Sequence, residues 1–264
     1  MDLVLVRYAE MGLKSRAVRK RFESILVDNM MTALAAAGVE GLVTTDGVAS
    51  VSPTVSCASG MEEMKLAISA FSLPLFKGGE GFAVRARRTG EHPFTSMDLG
   101  RELGSAIFLA NHEKGVRVDL TSPDVEVFVE VRGRRAYIFS TYVPGPGGLP
   151  LGSQGKVVAL VEGERDALAA WLVMKRGCRI IALGEEGSPG VRLLRAWDPG
   201  MKVMARENMA EAVSKNRALA LVFGYSLQEF EAIRSVDATV PAFFPLVGMG
   251  EDEISKRLEG IGAA

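Results

Sequence analysis

Cysteine and histidine are scarce, with two of each in 264 residues. Cys57 and Cys178 lie far apart, no CxxC occurs, and His92 and His112 lack metal-ligand spacing. A zinc or iron–sulfur centre therefore has no ligand set, no metal site is expected, and the cysteines read as reduced thiols packed as small hydrophobes. Long apolar runs are missing too, so no membrane span is expected. The opening "MDLVLVRYAE" enters a strand pattern at once, unlike a signal or transit peptide, and a cytoplasmic location is expected. Net charge is only −1, which argues against binding nucleic acid by bulk electrostatics.

What is present is uneven. Lys14, Arg16, Arg19, Lys20 and Arg21 form a run without an acid. Arg85, Arg87 and Arg88 end the strand-like "GFAVRARR", and Arg132, Arg134 and Arg135 surround a hairpin-like turn. All three clusters fall within the first 135 residues of the chain. The clearest boundary is "YVPGPGGLPLGSQGK", residues 142–156, whose three prolines and five glycines read as an interdomain linker.

Before the linker the pattern predicts a short strand "LVLVRY", a helix over 15–37, and strands near 42–44 and 48–51. The helix "GMEEMKLAISAF" follows, as expected of helices on one face of an antiparallel sheet. Strand "GFAVRARR", helix "MDLGRELGSAIFLAN" and strands "VRVDL", "VEVFVEVRG" and "RRAYIFSTY" come next, with "RGRR" as a hairpin turn. After the linker, continuous apolar strands "KVVALV", "CRIIAL", "ALALVFG" and "TVPAFFPL" alternate with helices predicted at 166–175, 201–215, 226–235 and 251–260. That alternation implies a parallel sheet covered on both faces, whose ligands bind at the carboxyl ends of the strands.

The turn 162–167 lies at such an end, in the strand–glycine–helix frame that holds phosphate in many nucleotide enzymes. Yet it reads Glu162-Gly163-Glu164-Arg165-Asp166-Ala167, with three carboxylates and no hydroxyl. A carboxylate about 4 Å from a phosphate costs on the order of a few kcal/mol at a surface-like dielectric, whereas at a helix N-terminus it is a favourable internal anion. The residues thus favour a self-satisfied turn, with Arg165 the one side chain that compensates. The basic run 14–21 opposes the positive end of its own helix, a loss that a bound polyanion would offset, although a solvated face explains it as well. In "HPFTS", Thr95 with Asp98 fits a capping box, Ser96 could cap the same helix, and such a helix start can also receive phosphate.

Together these motifs resemble the tRNA 4-thiouridine synthetases, or tRNA sulfurtransferases, which also serve sulfur transfer in thiamine biosynthesis. "LVRYAEMGLKSRAVRKRFESIL" is similar to the family's N-terminal "RYGEIxLKxxNRxxFExxL". "FAVRARRTGEHPFTS", "VDLTSPDVEVFVEVRGRRAYIF" and "GPGGLPLGSQGKV" resemble its THUMP domain and the junction after it. "MKRGCRI", "ALALVFGYSLQEF" and "VPAFFPLVGMGEDEISKRLEGIG" resemble parts of its PP-loop ATP-pyrophosphatase domain. The resemblance implies a ferredoxin-like domain over 1–60, a THUMP domain over 61–144, a linker over 145–155 and a Rossmann-like PP-loop domain over 156–264. The fold is then α+β in the first half and α/β in the second.

The resemblance further implies that Lys14, Arg16, Arg19, Arg85, Arg87, Phe94 and Ser96 contact the acceptor end of tRNA. The adenylating activity carries over less well. Of the family loop near "SGGIDS" only Gly163 and Asp166 persist, and of the later loop near "TGxSLGQVASQ" Gly224, Ser226 and Leu227 remain. Gly163, Arg165, Asp166, Gly224 and Ser226 mark a degenerate nucleotide site. The family's sulfur-carrying cysteine lies just beyond "IGT", where this sequence reads "IGAA", so no catalytic residue is assigned. The expectation is a tRNA-binding protein, inactive alone and without a cofactor. The alternative is a divergent ATP-dependent sulfurtransferase using ATP with magnesium. A homodimer and a sulfur-donor protein are the partners implied beside tRNA.

Overall fold

The structure is a computed structural model and describes residues 3–4, 15–39, 53–141 and 145–262. Lys14 and the strands expected near 42–44 and 48–51 lie outside the described residues. No helix among the described residues is long and apolar enough to cross a membrane. The described residues fall into two compact units. One is built from the stretches Met1–Tyr8 and Gly47–Gly145, the other from Ala9–Asp46 and Pro146–Ala264.

In the first unit β1 (Leu3–Val4), β2 (Pro53–Ala58), β3 (Gly81–Thr89), β4 (Arg117–Val118), β5 (Val125–Arg132) and β6 (Arg135–Phe139) make one sheet in the order β1-β2-β6-β5-β3-β4. Helices α2 (Met61–Ser72) and α3 (Ser96–Ala110) cover it. The sheet is mixed, where an antiparallel one was expected, because β3 runs parallel to β4 and β5. A helical crossover between β3 and β5 returns the chain in the same direction, whereas the "RGRR" hairpin reverses it. Gly133 supplies the positive φ (52°) that this tight turn needs.

Alternation on β5 divides the sheet's faces. Val127, Val129 and Val131 join Met64, Ile68, Leu99, Leu103 and Ile107 in the core, the last three spaced by four residues so that one stripe of α3 faces inward. Each large side chain buried there contributes roughly 1.5–3 kcal/mol relative to exposure. Phe128 points the other way and stacks on Phe139 at 5.3 Å.

The second unit carries a purely parallel sheet. Its strands are β7 (Lys156–Leu160), β8 (Arg179–Leu183), β9 (Lys202–Met204), β10 (Leu221–Val222) and β11 (Ala242–Phe243), in the order β11-β10-β7-β8-β9. Helices α4 (Glu164–Met174), α5 (Pro189–Arg195), α6 (Met209–Asn216), α7 (Phe230–Arg234) and α8 (Glu251–Gly262) connect and cover the strands. Val157, Ala159 and Val161 face one core, and Val158 and Leu160 the other. Burial on both sides is why these strands read as unbroken apolar runs.

The helix expected over 201–215 is a correction. Residues 202–204 form edge strand β9, and helix starts only at Met209. Helix α5, which was not anticipated, starts at Ser188-Pro189, where the Ser188 hydroxyl accepts from the Val191 N–H and proline takes the first turn.

Helix α1 (Arg16–Ala36) belongs to this second unit. Its stripe is only partly covered, with Phe22 buried and Val18 exposed. Asn29 fastens it. Its Nδ2 donates to the Leu151 carbonyl (2.9 Å), and its Oδ1 accepts from Arg179 (3.0 Å).

Candidate RNA-contact and nucleotide sites

Strand β7 is the centre of its sheet. The chain leaves it toward β8 and β9 on one side and later fills β10 and β11 on the other, so the turn after β7 lies at the topological switch point, where such sheets receive ligands. There, one carboxylate oxygen of Asp166 accepts from the Glu162 N–H (3.0 Å) and the Gly163 N–H (3.1 Å), and the Gly224 N–H also bonds to this carboxyl. Burial nevertheless pushes the Asp166 carboxyl above its ordinary value, outweighing those donors, and the Glu162 charge adds to the rise.

Gly224 and Asp166 are in direct apposition. A Cβ on Gly224 would stand 2.7 Å from the Asp166 Cα, so only glycine fits. Asp166 in the first turn of α4 and Gly224 just after β10, both sequence-predicted, are thereby brought together beside Gly163, the N-cap of α4.

The other candidates are engaged within the chain. Arg165 donates to Glu251 (3.0 Å) and lies 3.7 Å from Glu229. Glu162 pairs with Arg206, a partner that nothing in the sequence marked. Ser226 is fully buried, and its hydroxyl lies 2.5 Å from Gln228 and 3.0 Å from Glu229. It closes a capping box whose Ser226 backbone N–H holds the Glu229 carboxyl below its usual value. Glu164 is exposed at the first helical position. Among the described residues, no cluster of His, Cys, Asp and Glu could hold a metal ion. Burial pushes both thiols up, so Cys178 is a weak nucleophile.

In the first unit a groove of about 1300 Å³ runs beside β3 and α3 and brings Arg85, Arg87 and Ser96 together. Arg85 is braced, its Nε donating to Glu126 (2.7 Å) and its Nη2 to the Leu120 carbonyl (3.2 Å). Arg87 is exposed, in register with Glu130 on β5. Thr95, and not Ser96, caps α3. Its hydroxyl accepts from the Asp98 N–H (3.1 Å), while the Asp98 carboxylate accepts from the Thr95 N–H (2.9 Å). These bonds hold the Asp98 carboxyl below its usual value, the Thr95 N–H being the largest cause. Ser96 is the first helical residue and exposed.

Phe94 does not line the groove. It packs against the core and stacks with His92 at 5.4 Å. The groove also exposes Met97, Leu109, Val118 and Leu120, a cluster that sequence spacing alone does not reveal. Arg16 and Arg19 are exposed in the first turn of α1, which has no acidic residue there and no side-chain cap.

This architecture has known counterparts. The THUMP domain family matches residues 58–141, and the ThiI ferredoxin-like domain family matches residues 3–52. A probable tRNA sulfurtransferase of Methanosarcina acetivorans is 38% identical over 236 positions, covering 75% of this chain and 57% of that protein. A probable tRNA sulfurtransferase of Methanothermobacter thermautotrophicus is 30% identical, covering 99% of this chain and 85% of the relative. The chain belongs to the tRNA sulfurtransferase family.

It spans little more than half of some relatives. The Methanothermobacter alignment runs over 332 positions against 264 residues here, so that relative also carries internal segments without a counterpart in this chain. PH1313 of Pyrococcus horikoshii Ot3 has the same fold, with a TM-score of 0.83 at 24% identity over 99% of this chain and all of that one. A 4-thiouridine synthetase solved in complex with RNA and bound ATP matches with a TM-score of 0.74 at 24% identity, over 98% of this chain and 84% of that one.

Proposed function

We propose that this chain binds tRNA in the service of tRNA modification and that its own nucleotide turn no longer activates ATP. The tRNA half is supported by the THUMP match and by the exposed cations Arg16, Arg19 and Arg87. Guanidinium groups suit phosphate contacts, which set the register of a bound nucleic acid. Arg85, Phe94 and Ser96 have supporting roles in this reading, and Lys14 extends the cationic run of α1.

One observation carries the second half: two carboxylates that the family motif lacks flank the turn. Asp166 persists from the motif, so its capping of the turn does not distinguish an active loop from an inactive one. Glu162 and Glu164 do. They stand beside the first turn of α4, Glu162 engages Arg206, and Arg165 is shared between Glu229 and Glu251. With the Ser226 hydroxyl buried as well, these residues do not fit a triphosphate with its magnesium, and we derive no step through it. A homodimer and a separate sulfur-donor protein, both implied by the family resemblance, complete the reading.

Calorimetric titration with ATP and magnesium, with a pyrophosphate-release assay, tests the nucleotide half. No saturable heat and no pyrophosphate are expected, and saturable binding with pyrophosphate release would overturn it in favour of a divergent sulfurtransferase. Fluorescence anisotropy with a labelled tRNA transcript tests the other half. Micromolar or tighter binding that weakens steeply with salt is expected, and no binding at low salt would remove it.

A further inference from the structure

At the end of the parallel sheet opposite the nucleotide turn, a groove of about 330 Å³ lies between α1 and the starts of β7 and β8. Its walls include Asp28, Asn29 and Thr32 from α1 and Lys156 and Arg179 from the strands. Two of these are committed. Arg179 donates to Asn29 (3.0 Å) and faces the buried Asp198 carboxylate at 3.4 Å, while Asn29 holds the Leu151 carbonyl.

The other three present open polar ends. Asp28, Thr32 and Lys156 are exposed, and the Thr32 hydroxyl donates to the Asp28 backbone carbonyl (2.8 Å), which leaves its lone pairs free to accept. Neither the Asp28 carboxylate nor the Lys156 ammonium enters a hydrogen bond or ion pair among the described residues.

The combination is chemically specific. A groove for phosphate alone has no use for a carboxylate, which repels the ligand. A carboxylate is useful where the ligand brings a hydroxyl donor beside its anion, as a ribonucleotide does with its 2′-hydroxyl. Arg21 lies seven residues before Asp28 on the same face of α1, about 10 Å along its axis, so a backbone passing the cationic first turns would reach this groove.

We propose that the groove is a ribonucleotide subsite for an RNA strand. Lys156 meets a phosphate, and Asp28 accepts the hydrogen bond of the ribose 2′-hydroxyl. The subsite distinguishes RNA from a strand lacking that donor, and it rests on the RNA-binding reading above.

The test is anisotropy on the full chain with a tRNA transcript and the same transcript carrying 2′-fluoro groups, which keep the A-form sugar pucker but cannot donate. The wild type should bind the hydroxyl form about tenfold more tightly, as befits a hydrogen bond to a charged acceptor. Asp28→Ala should weaken binding to the hydroxyl form and abolish the preference. A merely solvated carboxylate predicts the opposite sign, because removing it near phosphates would tighten binding to both transcripts. Lys156→Ala should weaken both equally and flatten the salt dependence by about one phosphate contact.

Both side chains are exposed, and unchanged thermal melts would show the variants fold. Equal binding of the two transcripts by the wild type, or tighter binding of both by Asp28→Ala, overturns the subsite. Absence of binding to either transcript removes the RNA reading beneath it.

Discussion

Gly224 rests against Asp166 so closely that a single methyl group at Gly224 would fall 2.7 Å from the Asp166 Cα. The contact joins the end of β10 to the first turn of α4. The atom it would strike belongs to the backbone, so no side-chain rotation relieves it.

Gly224→Ala should therefore destabilise the chain by about 1–3 kcal/mol, the usual cost of overpacking. Urea denaturation of the full chain measures this. Gly248→Ala, where an added Cβ meets nothing within 4 Å, is the matched control and should cost much less.

Asp166 gives a pH signature. Its folded carboxyl titrates above the ordinary value of 3.8. Stability from that shift is thus fully present below pH 3.8 and is lost as pH rises through the folded value. Asp166→Asn keeps an acceptor for the turn but cannot ionise. Relative to it, the wild type should lose stability as pH rises from about 4 toward neutrality, which denaturation at a series of pH values reads directly. Parallel curves would refute the assignment.

If the two turn carboxylates keep nucleotide out, as proposed, removing them should restore binding. The double variant Glu162→Ser with Glu164→Gly removes both foreign carboxylates and releases Arg206 from Glu162. It should gain a saturable ATP heat absent from the parent. If it gains none, the acids are not what keeps nucleotide out.

The two arginines of β3 should behave differently toward tRNA. Arg87 is exposed, so Arg87→Ala should weaken binding and reduce the salt slope by about one. Arg85 is already bonded to Glu126 and Leu120, so Arg85→Ala should cost less affinity. Equal losses would show that the Arg85 brace opens when RNA binds.

Much of the architecture was legible because periodicity reports burial. The unbroken apolar run of β7 implied a strand covered on both faces, and the segment "MDLGRELGSAIFLAN" read as the helix that is α3. The misreadings have physical causes. Met201 to Met204 has helical composition but sits at a sheet edge, where three ladder-paired residues override propensity. Helix α5 has seven residues, too few to show a period, so only its Ser-Pro start could reveal it.

At the nucleotide turn the carboxylates were visible, but their partners were not. Arg206 and Glu251 lie 44 and 86 residues from the side chains they pair with, and no local pattern connects them. The hydroxyl partners of Ser226, Gln228 and Glu229, are local, but its complete burial comes from tertiary packing that the sequence does not display.

The bond between Asn29 and Arg179 joins residues 150 positions apart. It bears on how the chain assembles in time. The second unit draws on stretches from both sides of the glycine–proline junction, so it cannot finish before the chain beyond that junction is available. Closing so long a loop is slow relative to local helix formation. During synthesis α1 emerges early and waits for β8, the strand that carries its anchor. A protein cut at the junction would leave this helix with an uncovered apolar stripe and no anchor, a state prone to aggregation.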